Sequence, residues 1–460
     1  MTVDIASRSP VIQRASNPST CADATINPCT LCAPLGAALV TCGIRGAISL
    51  LHGGQGCATY IRRYLISHFR EPVDIASSSF GETQTVFGGE DNLGRALDNI
   101  EQQYHPEVVT VASTCVAETV GEDVPMLLKR YNGRRSVALP VVYASTPSYK
   151  DGHVEGFHSM VHRIVEAMAI EPGPRERTIN VLPPMVSPAD LRHLREIIQG
   201  FGVAVTMVPD YSDTLDGVIL DEYRALPQGG TALEDIAKMP RSIVTLDFTM
   251  TGKAPRASDI LTKRGAAARV LELPVGIRAA DALIETMVRE TGIDCPQWLA
   301  KERGRLLDAY ADGHKYVFGK RVGLYGEPEM IVAIAKFLAE IGARPVLCAT
   351  GARNHALSKA LEQLPDGLVV EVLDDTDFGK IEKACRRIDV ELLIGSSKGY
   401  GMARRLGIPL IRTGFPIHDR IGAGRMLTVG YRGTLSFFDA LVNAFLEHQQ
   451  NASDVGYSYL

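Results

Sequence analysis

Short runs of β-branched and aliphatic residues recur along this chain, and most are followed by a stretch with helical period. Examples are V-V-T-V-A-S-T (108–114), T-I-N-V-L-P-P (178–184), S-I-V-T-L-D-F (242–248), R-V-G-L-Y-G-E-P (321–328) and V-E-L-L-I-G-S-S (390–397). A continuous apolar run between turn residues reads as a strand buried on both faces, which parallel sheets require. The intervening segments supply covering helices: Leu93, Leu97 and Ile100 share one face over 91–104. Further helices are expected over 187–200, behind Ser187–Pro188, over 278–291, and from Leu435 to about His448. Residues 292–318 read as a polar connector. The pattern predicts an α/β fold with parallel sheets flanked by helices. A chain of 460 residues exceeds one hydrophobic core, and Pro172-Gly173-Pro174 marks a boundary. The expected divisions are an arm over 1–27, flexible or extended, three βα units over 28–172, 173–318 and 319–434, and a C-terminal helix and tail over 435–460.

Charge and cysteine usage narrow the function. A net charge of −5 with no basic run argues against a nucleic-acid partner. No apolar stretch is long enough to predict a membrane span, and the N-terminus lacks the apolar core of a secretory signal. Nine cysteines, an odd number in a long chain, do not form a secreted disulfide framework. A reducing cytoplasm is the expected compartment. Nucleotide binding is not expected: T-G-K-A-P (251–255) lacks the first glycine and the hydroxyl of a P-loop, and G-L-Y-G-E-P (323–328) is not G-x-G-x-x-G.

Six of the nine cysteines, Cys21 among them, lie in the first 115 residues. Cys29, Cys32, Cys42 and Cys57 lie within 29–57, and Cys115 follows the strand over 108–114. Thiolates are soft ligands suited to iron–sulfur clusters. Gly53, Gly54 and Gly56 around Cys57 suit a tight turn beside a bulky inorganic ligand. Cys29-x-x-Cys32 is half of a zinc pattern, but no second pair or spaced histidines complete it. His52 is a candidate to orient the Cys57 turn through a hydrogen bond. His68 and Arg70 read as ion-pair partners of Glu71, and His418 as a buried group bonded to Asp419 or backbone.

These motifs, in their order, resemble the β-type subunits of the nitrogenase component 1 family: C-A-P-L-G-A (32–37), H-G-G-Q-G-C-A-T-Y (52–60), S-H-F-R-E-P (67–72), V-F-G-G (86–89), S-T-C-V-A-E (113–118) and T-P-S-Y (146–149). The likeness returns in L-E-L-P-V-G-I (271–277) and G-F-P-I-H-D-R (414–420). The resemblance implies three Rossmann-like domains. It implies Cys32, Cys57 and Cys115 as ligands of a P-cluster-like iron–sulfur centre shared with an α-type subunit in a heterotetramer, with Ser148 as a redox-dependent ligand. It also implies Phe87 as a docking contact for an ATP-dependent iron-protein reductase. Cys29 and Cys42 have no counterpart and read as structural.

Arg432 in G-Y-R-G (430–433) stands where an α-type histidine ligand would be, and 246–253 offers no cysteine. The resemblance therefore implies the oxidoreductase subunit that relays electrons to a cofactor held in its partner. The absence of a histidine-rich stretch at Ile421-Gly422-Ala423-Gly424 and the short arm are more similar to the nitrogenase-like methylthio-alkane reductases than to nitrogenase proper. The alternatives are the N-type subunit of the cofactor-assembly scaffold, which would carry a 4Fe–4S cluster, and the β subunit of a nitrogenase. A light-independent chlorophyll-type reductase subunit matches the motifs less well.

Overall fold

The computed structural model describes residues 10–14, 27–136, 139–219, 222, 224–253 and 255–455. Most of the expected arm, and the last five residues of the tail, lie outside the described residues. The chain forms two compact units: residues 31–270 with 422–425, and the remainder.

The first unit contains two four-stranded sheets. One runs Ile75–Ser77, Ala47–His52, Val108–Ser113, Val141–Ala144 across its width, every pair parallel. The other runs Ala204–Met207, Glu176–Leu182, Ser242–Asp247, Ala267–Val270, again all parallel. Ala47–His52 and Val108–Ser113 are central and almost wholly buried, which is why they read as unbroken apolar runs. Helix Glu90–Tyr104 covers the first sheet, packing Leu93, Leu97 and Ile100 against Ile48, Leu50, Val109 and Val111. Burial of each such side chain contributes about 1.5–3 kcal/mol. Ser187 caps helix Pro188–Gln199 by accepting from the Asp190 N–H, as its position before Pro188 predicts.

The second unit holds a six-stranded parallel sheet in the order Val11–Arg14, Val369–Leu373, Arg344–Ala349, Arg321–Tyr325, Leu392–Gly395, Leu410–Arg412. Within the arm expected to be flexible or extended, Val11–Arg14 is thus an edge strand.

Residues 297–317 correct one expectation: they form a 21-residue helix, not a polar connector. Its buried stripe is narrow (Leu299, Glu302, Leu306, Gly313, Val317) and includes a carboxylate and a glycine, so the apolar period was weak. Gly313 is required by packing, since a Cβ there would lie 2.6 Å from the ring of Phe438 on helix Gly430–Asn451. Arg432 on that helix pairs with Glu302 at 2.8 Å and covers the Trp298 ring. No helix among the described residues is long and apolar enough to cross a membrane.

Candidate functional site

The first sheet of the 31–270 unit carries the cysteines. Strand Ala47–His52 ends at a turn through Gly53 and Gly54 and enters helix Gln55–Phe69, whose third residue is Cys57. The adjacent strand Val108–Ser113 is in register with it, His52 opposite Ser113, and leads through Thr114 to Cys115 at the first position of helix Cys115–Val120. Two neighbouring parallel strands therefore deliver two cysteines to the same carboxyl-terminal edge, where open α/β sheets place their functional groups. Gly53 has φ +153°, and a Cβ there would overlap the Thr114 hydroxyl, so the two turns close only around glycine.

Cys32 arrives differently. It caps helix Ala33–Thr41, every residue of which is buried. That helix lies against His153–Met168 at backbone contact: a Cβ on Gly36 would overlap the His153 carbonyl oxygen, and one on Gly156 that of Ala33. The entry to Cys32 is clipped by the His153 N–H donating to Leu31 O at 3.0 Å.

Ser148 joins the two routes. Its N–H donates to Cys115 Sγ at 3.3 Å, and its Oγ accepts from the Ala33 N–H, next to Cys32, at 3.2 Å. The loop before it is fixed to Ser113: the Thr146 N–H donates to Ser113 Oγ (3.0 Å) and the Thr146 hydroxyl to Ser113 O (2.7 Å).

Cys32, Cys57 and Cys115 are all free thiols, the first and last half-buried and Cys57 exposed. Burial raises the Cys57 thiol above its ordinary value, and the neighbouring charges of Cys32 and Cys115 raise it further. A bound cation would favour the Cys57 thiolate against both effects. Gly54 and Gly56 beside them face open space, with no atom near where a Cβ would stand. Among the described residues no three His, Cys, Asp or Glu side chains form a site for a single metal ion. The three sulfurs are soft donors of the kind that iron–sulfur centres use.

Cys29 is a buried thiol and Cys42 a half-buried one, and desolvation pushes each up to about 12. Cys29 packs in the core of the second unit with Tyr325, Phe378 and Met402. Phe87, at the end of helix Glu82–Phe87, is 84% exposed and Val86 is 72% exposed. No residue of that helix is buried.

His52 is fully enclosed: Nδ1 meets Ser78 Oγ at 3.1 Å, Nε2 meets Glu122, and Phe80 stands edge-on at 4.9 Å. It reaches the Cys57 turn through Ser78, whose Oγ also accepts from the Gly53 N–H. Among the described residues no ion pair joins Glu71 to His68 or Arg70. Glu71 is raised by burial and by Asp216, and its stabilising neighbours are the Gly217 backbone and Arg425. Arg70 has φ +67° at the helix end, where the chain turns.

Two carboxylates escaped the sequence reading. Glu118 accepts from the hydroxyls of Ser113, Ser145 (2.6 Å) and Tyr143 (3.1 Å), tying the Cys115 helix to the loop before Ser148. Burial raises Glu118, but these hydroxyls and Lys150 bring it below the ordinary carboxylate value. Glu122 is the partner of His52. Glu118 was detectable as one helical turn beyond Cys115; Glu122 was not, because its partner is distant in sequence.

Burial lowers the pKa of His52 in spite of Glu122, so the folded chain keeps it neutral. Its contribution to stability is fully present above the unfolded value of about 6.5 and declines as pH falls through that value toward the depressed folded one. The slope is at most about 1.4 kcal/mol per pH unit. Melting curves from pH 7.5 to 5.5 should fall more steeply for the wild type than for His52→Gln; parallel curves would contradict the assignment.

A family model described as nitrogenase component 1 type oxidoreductase matches residues 32–446. The chain is 34% identical to the nitrogenase molybdenum-iron protein beta chain of Clostridium pasteurianum, over 92% of this chain and 93% of that one. It is also 34% identical to the nitrogenase iron-molybdenum cofactor biosynthesis protein NifN of Rhodobacter capsulatus, over 94% of each. A solved chain of nitrogenase Cp1 at pH 6.5 superposes with a TM-score of 0.91 at 32% identity, covering 97% of this chain and 98% of that one.

Proposed function

The chain belongs to the nitrogenase component 1 type oxidoreductase family, as a β-type member, and on that premise we propose that it is an electron-relay subunit. Cys32, Cys57 and Cys115 would hold one side of a P-cluster-like iron–sulfur centre, with Ser148 beside it. An α-type subunit would hold the other side and the catalytic cofactor. The centre supplies a redox site whose potential depends on its ligands, hydrogen bonds and burial. This chain orients the thiolates through helix starts and the Ser148 bridge. The observation that carries the reading is that Cys57 feels both Cys32 and Cys115, while Ser148 bonds Cys115 and the backbone next to Cys32, all three cysteines being free.

Within this reading the chain serves a methylthio-alkane reductase, cleaving C–S bonds to release a thiol and a small hydrocarbon. The histidine-free stretch Ile421–Gly424 supports that choice. Two other readings have their own support: the beta chain of Clostridium pasteurianum favours a nitrogenase proper, and NifN of Rhodobacter capsulatus favours a cofactor-assembly scaffold. None of these relatives' names carries a carbon–sulfur substrate. The purified complex with its reductase and ATP separates the three. A thiol and a hydrocarbon formed from a methylated sulfur compound are expected. Ammonia formed from dinitrogen would make it a nitrogenase. Simple 4Fe–4S resonance without turnover would make it a scaffold.

Phe87 is the proposed contact for the ATP-dependent iron-protein reductase, an exposed aromatic anchor. Phe87→Ala should cost about 2 kcal/mol of docking, roughly a 30-fold rise in the half-saturating reductase concentration, with the maximal rate retained. An unchanged half-saturation would remove Phe87 from the interface.

A further inference from the structure

Glu122 touches none of the cysteines, yet its two oxygens serve two different loops. One faces His52 Nε2 and the other accepts the backbone N–H of Gly89. Its side chain is 6% exposed and that of His52 0%, so water can replace neither partner.

Each partner belongs to a functional segment. His52 is the last residue of the strand before the Gly53–Cys57 turn. Ser78 Oγ joins its ring to that turn, accepting from the Gly53 N–H at 2.9 Å while meeting Nδ1 at 3.1 Å. One tautomer satisfies the chain: Gly53 N–H donates to Ser78, the Ser78 hydroxyl to Nδ1, and Nε2–H to Glu122. Gly89 follows Phe87 by two residues. Gly88, at φ +89°, bends the loop inward, and a Cβ on it would stand 3.2 Å from Glu122 Oε1. A Cβ on Gly89 would overlap Phe80, the ring that stands edge-on to His52. The glycine pair therefore brings backbone close enough for a carboxylate to span both segments.

We infer that Glu122 is a positioning residue that holds the Val86–Gly89 segment, an exposed helix end and the glycines after it, and the cysteine-bearing Gly53–Cys57 turn in one register, so that a partner bound at Phe87 also orders the turn. The functional meaning rests on the reading above, that Phe87 meets the reductase and Cys57 holds iron. The register itself rests on the Glu122 contacts alone. A buried carboxylate deprived of either donor loses its compensation, so loosening one segment loosens the other.

Hydrogen exchange read by mass spectrometry on the purified complex tests this whether or not iron is loaded. Glu122→Ala should raise exchange in both 53–57 and 86–89 by about tenfold or more. His52→Ala should raise exchange in 86–89, which His52 does not touch. Glu122→Gln should restore most of the protection, because Gln can accept from Gly89 while donating to the other histidine tautomer. Its melting point checks that the fold persists. Added reductase should protect both segments in the wild type but only 86–89 in Glu122→Ala. An unchanged 86–89 segment in His52→Ala, or equal protection of 53–57 in wild type and Glu122→Ala, would overturn the inference. If reductase protects neither segment of the wild type, the docking reading fails, and the His52→Ala result still decides the register.

Discussion

Cys115→Ala should lower electron transfer through the complex more than about 100-fold, beyond the 10–100-fold typical of residues that only hydrogen-bond to ligands. The fold should tolerate the change, with the melting point within a few °C of wild type. Cys115 is half-buried at the first position of a helix, where alanine is a good helix former. Its sulfur accepts the Ser148 N–H at 3.3 Å, a weak bond whose loss leaves the Thr146 bonds to Ser113 in place. Ser148→Ala should do less, removing only the Oγ acceptor of the Ala33 N–H. Single-turnover reduction and iron content of the purified complex read both variants. A Cys115→Ala complex with full iron and wild-type rates would refute the ligand assignment.

Gly36→Val should be strongly destabilising to the 31–270 unit. Its Cβ would overlap the His153 carbonyl oxygen and lie 2.6 Å from the Phe157 nitrogen, so the obstacle is backbone and cannot rotate away. The two helices must part, and with them the start of the helix that carries Cys32. Overpacking of this kind costs about 3 kcal/mol or more, roughly 6–12 °C in melting point for a unit of this size. Gly156→Ala should act in the same direction for the same reason. Gly304→Ala is the contrasting case. It is exposed inside helix Gln297–Val317 with nothing near its Cβ position, and should stabilise by about 0.5–1 kcal/mol. Thermal melts of the three variants check the order. A Gly36→Val chain melting with the wild type would mean that the helices do not touch at backbone.

What the sequence disclosed follows the range of the interactions involved. Helix Glu90–Tyr104 was legible because its three buried residues repeat locally, and the Pro188 helix because its cap is adjacent. The delivery of Cys115 by strand Val108–Ser113 was legible because a fully buried strand is an unbroken apolar run. Helix Gln297–Val317 was missed because a narrow stripe that includes a carboxylate and a glycine resembles a linker, and the Val11–Arg14 strand because a short edge strand carries little signal of its own. The Gly36–Gly156 contact, the Ser148 bridge and the Glu122–His52 pair join residues far apart in the chain, and no local period announces them. The motifs named the candidate ligands; only the folded chain reveals what holds them.

The most direct test of the shared-centre account is anomalous diffraction at the iron edge from crystals of the complex. The account predicts iron bonded to the sulfurs of Cys32, Cys57 and Cys115 within one cluster that also reaches a neighbouring subunit. Iron located elsewhere, or three sulfurs without iron in a complex that still transfers electrons, would contradict it.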